Sequence, residues 1–62
     1  MSEGYSYQLH LESAMRQLKR AESYAIAGRP HDALEELYAS RQSATRAITL
    51  INSAFPPEPD AA

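Results

Sequence analysis

The chain has 62 residues, with 6 basic and 8 acidic side chains, a net charge of -2 and no cysteine. At this length it is one domain at most, and a domain this small buries only roughly 60% of the surface its unfolded chain exposes. The missing cysteines exclude disulfides and thiolate metal sites, and two histidines are too few for a structural zinc site, so association with another chain is the remaining common source of stability.

The balanced charge argues against bulk attraction to nucleic acid or an anionic membrane. No stretch approaches the ~20 apolar residues of a membrane span. The N-terminal Met1-Ser2-Glu3-Gly4 lacks the basic and apolar regions of a secretion signal, so the sequence predicts a cytoplasmic protein without membrane contact.

Residues 5–27 and 31–55 contain neither glycine nor proline. Each run predicts a helix, the first over about 5–27 and the second over about 31–54. Gly28 suits the left-handed residue that closes a helix, and Pro30 suits the first turn of the next one. Asp32, Glu35 and Glu36 fall near the positive end of the second helix dipole. Arg16, Lys19 and Arg20 fall toward the C-terminal half of the first. A turn at 28–30 makes the helices antiparallel neighbours. One continuous helix through Gly28 and Pro30 is the alternative, at a cost of about 4 kcal/mol. Pro56 ends the second helix, because a residue before proline avoids the α region. Residues 56–62 read as a proline-rich, disordered tail after a hairpin domain of residues 1–55.

The first helix carries Tyr7, Leu11, Ala14, Leu18, Ala21 and Ala25 at three- and four-residue steps, widened by Met15. The second carries Ala33, Leu37, Ser40, Ala44, Ala47, Ile51 and Ala54 in the same way. Leu34, Ile48 and Phe55 form a second apolar stripe, interrupted by Arg41 and Thr45. The second helix therefore has more apolar surface than one neighbour covers. Each large apolar side chain left in water forgoes about 1.5–3 kcal/mol. Pairing two hairpins into a four-helix bundle buries that surface. The fold class predicted is all-α: an antiparallel two-helix hairpin that dimerises into such a bundle. The predicted association residues are Leu34, Leu37, Ala44, Ala47, Ile48, Ile51 and Phe55.

If the turn is symmetric, residue i of the first helix faces roughly position 58 minus i. That sets Glu12 near Arg46, Lys19 and Arg20 near Glu35 and Glu36, Tyr24 near Tyr38, and Tyr7 and Leu11 near Ile48, Ile51 and Phe55. Glu12 and Arg16 have the favourable i to i+4 order within the first helix.

No phosphate-binding glycine loop, His-Glu-x-x-His or Glu-x-x-His motif is present. His10 and His31 fall at opposite ends of the predicted hairpin. Two helices offer no concavity in which a carboxylate could acquire a shifted pKa. The sequence predicts neither catalysis nor a cofactor or metal. Arg16, Lys19 and Arg20 form a basic cluster and are the candidate nucleic-acid contacts. Acidic neighbours and the absence of interleaved aromatic residues rank that reading second.

The run His31-Asp32-Ala33-Leu34-Glu35-Glu36-Leu37-Tyr38-Ala39-Ser40 resembles part of the second helix of the Rop family of plasmid copy-number regulators. The likeness covers those ten residues, at a different height on the helix, and the first helix shares none of it. It implies a dimeric four-helix bundle that binds paired RNA hairpins. Tyr24, Gly28, Ala33 and Leu34 resemble one tetratricopeptide-type helix pair, of which a single unit needs something to dock on. The expected function is a small non-enzymatic interaction protein. It would act as a homodimer that regulates, inhibits or chaperones another protein through helix faces. A Rop-like nucleic-acid regulator and a structural subunit of a larger assembly are the alternatives.

Overall fold

The computed structural model describes residues 4–56. They form two helices, α1 (Gly4–Ile26) and α2 (Pro30–Ala54), packed against each other as a helical hairpin. Of the tail expected at 56–62, all but Pro56 lies outside the described residues. No helix is long and apolar enough to cross a membrane.

The turn follows from three residues. Gly28 has φ +75°, where an L side chain is strained. Its N–H donates to the carbonyl of Ala25 at 3.1 Å, and the N–H of Arg29 donates to the carbonyl of Tyr24 at 2.8 Å. This pair of bonds is the Schellman closure of a helix. Arg29 is at once the last residue of that closure and the N-cap of α2, where its carbonyl accepts from Ala33 N–H at 3.1 Å. Pro30 opens α2 at a position whose N–H has no helical partner to lose. At the far end Phe55 N–H closes α2 on the carbonyl of Ile51 at 2.7 Å, and Pro56 follows.

The helices meet through small side chains. The buried residues are Ala14 and Ala21 on α1 and Ala33, Ser40, Ser43 and Ala47 on α2. Tyr7, His10, Gln17 and Tyr24 are half-buried in the same rows. These positions repeat every seven residues, alternating steps of three and four, as in an antiparallel coiled coil. In heptad letters Ala14, Ala21, Ala33, Ser40 and Ala47 occupy a, and Gln17 and Ser43 occupy d. Small residues at a let the axes approach toward the short end of the ~8–10 Å range.

The seam expected from hydrophobicity is corrected at several positions. Leu11, Leu18 and Leu37 remain 41%, 49% and 43% exposed, flanking the contact instead of filling it. Ser43, absent from the expected seam, is buried. Close approach selects alanine and serine for the middle and displaces the longer leucines to the sides. No large side chain is fully buried among the described residues.

The pairing register also shifts. Ser43 Oγ donates to Gln17 Oε1 at 3.0 Å, and the rings of Tyr7 and Phe55 meet edge to face at 6.3 Å. Symmetry about the turn would set Gln17 against Arg41 and Tyr7 against Ile51. The observed levels lie two to four positions further along α2, because α2 begins beyond the end of α1 and its first turn overhangs it. The cross-helix ion pairs expected of Glu12, Lys19 and Arg20 do not form. Arg16 donates to Ser13 Oγ at 3.2 Å, and the ion pair present among the described residues is Arg29–Asp32, at 2.7 Å.

Candidate functional site

The hairpin contact accounts for one side of each helix and leaves a second apolar side uncovered. On α1 the e row is Leu11, Leu18 and Ala25, with Met15 beside it at b. On α2 the e row is Leu37, Ala44 and Ile51, with Leu34 and Ile48 at b; Phe55 follows as the C-cap, with a non-helical backbone. Two antiparallel helices are related by a two-fold axis perpendicular to the plane that contains them. That axis carries the e side of one helix to the e side of the other, on the same face of the hairpin. The two rows therefore lie side by side as one apolar surface. Met15 at 64% exposure and Ile48 at 58% stand at its outer edges.

The opposite face is polar or small: Ser13 and Arg20 from the g row of α1, and Ala39, Arg46 and Ser53 from that of α2. Its hydroxyl-bearing neighbours are satisfied locally. Thr45 Oγ1 donates to the Arg41 carbonyl at 2.8 Å and Thr49 Oγ1 to that of Thr45 at 3.1 Å. In the seam Ser40 Oγ donates to the Leu37 carbonyl at 2.8 Å. No buried side-chain polar atom lacks a partner among the described residues. The buried polar side-chain atoms of the described residues are thus settled within the hairpin, while the face described above leaves large apolar side chains exposed.

The expected association residues separate into two groups. Leu34, Leu37 and Ile48 are exposed on the apolar face, with Ile51 and Ala44 half-buried beside them, and Phe55 is exposed at the C-cap of α2 with its ring against Tyr7. Ala47 is 1% exposed and belongs to the contact between α1 and α2. Leu11, Leu18 and Met15 join the face from α1. The sequence signal for them is their heptad spacing from Ala14 and Ala21, one row over.

Arg16 and Lys19 are exposed on the outward side of α1 and Arg20 is exposed at the edge of the polar face, and Met15 shares a surface depression with Glu12, Arg16 and Lys19. Ile26 and Tyr38 also point outward, away from both seam and face. His10 is half-buried near the open end, and His31 is exposed in the first turn of α2. No group of three His, Cys, Asp or Glu side chains able to hold a metal comes together among the described residues.

No protein-family model, curated protein or solved structure matches this chain significantly.

Proposed function

We propose that the chain is a protein–protein interaction module that self-associates through its apolar face and acts on another protein through the surfaces left outside. One observation carries this reading. The hairpin seam is built of alanine and serine, while Leu11, Met15, Leu18, Leu34, Leu37, Ile48 and Phe55 remain exposed. A buried methyl contributes about 0.8 kcal/mol, and a fully buried leucine or phenylalanine about 1.5–3 kcal/mol. The larger share of the available hydrophobic free energy therefore lies on the uncovered face. A contiguous apolar surface of this kind on a small chain marks an association site. In a dimer closed on that face, Ile26, Tyr38 and the basic side of α1 stay outward for a target.

Glutamate at Leu18 and, separately, at Leu37 tests the assignment, with Leu9→Glu as control. Leu9 is 63% exposed but lies at c, away from the face. The reading expects the first two variants to lower the solution mass and the control to leave it unchanged. Equal mass in all three contradicts it.

A further inference from the structure

The proposed function leaves the surfaces outside the apolar face for a protein target, and the charges of the polar face bear on the chemistry of that target. Arg20 on α1 and Arg46 on α2 stand in its g rows, both exposed. Arg16, one turn before Arg20, donates from its guanidinium to Oγ of Ser13, a residue of the same face, at 3.2 Å. That bond draws its head group to the polar side of α1. All three arginines lie within one turn of the Gln17–Ser43 bond on their own helices, so they gather at the middle of the hairpin.

None of the three is paired with a carboxylate among the described residues, where the ion pair is Arg29–Asp32. The acidic residues on this side of α2, Asp32 and Glu35, sit in its first turns beside the loop. Around the arginines the c and g rows supply Ser13, Ala39, Gln42 and Thr49, which are small or neutral. A chain of net charge -2 thus gathers cations on one face. The hairpin itself gains nothing from this, because like charges at i and i+4, as at Arg16 and Arg20, weaken a helix. A guanidinium is a fork of donors that matches a carboxylate, and arginine is enriched at protein interfaces where lysine is depleted.

We propose that the polar face docks an acidic segment of a protein partner, whose carboxylates are taken by Arg16, Arg20 and Arg46. This rests on the part of the proposed function that assigns the outer surfaces to a protein target, and it names that target's chemistry. The apolar face lies on the other side of the hairpin and stays free for self-association. A nucleic acid matches the face less well. Its phosphates recur along the whole strand and would also meet Glu12 and Glu35, whereas the carboxylates of a peptide can be placed on the arginines alone. The c and g rows also hold no aromatic ring on which a base could stack.

Fluorescence anisotropy of a labelled oligoglutamate peptide titrated with the full chain tests this. Oligoglutamine and a short duplex RNA serve as comparisons, and solution mass and helicity are recorded on the same samples. Oligoglutamate should bind, oligoglutamine should not, and added salt should weaken the binding. Arg20→Glu and Arg46→Glu should each weaken it on the order of tenfold, with solution mass and helicity unchanged. Arg41→Glu makes the same change of charge at the edge of the apolar face and should weaken it far less. Absence of oligoglutamate binding at low salt overturns the proposal, as does an equal loss in Arg41→Glu. Duplex RNA bound more tightly than oligoglutamate through the same arginines overturns it in favour of a nucleic acid. A dimer that does not bind oligoglutamate overturns the acidic partner and leaves self-association standing, and a monomer that binds it does the reverse.

Discussion

The guanidinium of Arg29 lies over the ring of Tyr24, 5.2 Å from its centroid. These two residues also make the outer bond of the Schellman closure, backbone to backbone. Such closures usually add an apolar contact between the same two positions. Here a cation on an aromatic face replaces it, and the same guanidinium pairs with Asp32. One side chain ties the end of α1 to the start of α2.

Replacing Arg29 with alanine should cost about 0.5–1.5 kcal/mol, since both of its contacts are at least partly exposed. Gly28→Ala should cost about 1–2 kcal/mol through backbone strain alone. A Cβ at Gly28 would meet nothing within 4 Å, so crowding adds no penalty. Urea unfolding followed by helicity measures both. A neutral Gly28→Ala would mean that the left-handed turn does not hold.

The seam and the face should respond differently to substitution. Ala47→Leu adds bulk where the helices touch and should destabilise the hairpin by about 1–3 kcal/mol. Ala44→Glu lies one row over and should act on association, lowering the solution mass, with helicity lost only in step with dissociation, as in the diluted wild-type chain. Light scattering and circular dichroism on both variants separate the effects. A lowered mass with no loss of stability in Ala47→Leu would contradict the placement of that row.

Gln17 and Ser43 form the cross-helix side-chain hydrogen bond of the seam. A double-mutant cycle with alanine at each position should return a coupling of about 0.5–1.5 kcal/mol. Zero coupling would remove the register assigned to the middle of the hairpin.

Tyr7 and Phe55 close the open end edge to face. A cycle at these positions should give about 0.5–1.5 kcal/mol beyond area burial. Phe55→Ala should also speed hydrogen exchange in the last turn of α2, and unchanged exchange there would contradict the contact.

The hairpin was legible from the two glycine- and proline-free runs and from Gly28 and Pro30, whose backbone demands are local. The apolar surplus on α2 was legible too, because Leu34, Ile48 and Phe55 fall on one stripe. The seam was only partly legible. Hydrophobicity nominates Leu11, Leu18 and Leu37 for the interior, whereas close approach of two helices selects Ala14, Ala21, Ser40, Ser43 and Ala47. The seven-residue spacing of Ala14 with Ala21, and of Ala33 with Ser40 and Ala47, was the signal for this. Pairing levels were not legible, because they depend on how far the Schellman turn carries the chain before α2 begins. The Rop-like run at 31–40 spans part of both seam and face, so its pattern records amphipathic spacing and does not choose a ligand.

The central claim is that the apolar face is satisfied by association. The direct test is the solution mass of the isolated chain by light scattering on a sizing column across a range of concentrations, with helicity recorded on the same samples. The account predicts a dimer whose helicity falls as dilution dissociates it. A strongly helical monomer at every concentration would contradict it, because the alanine and serine seam would then be sufficient by itself.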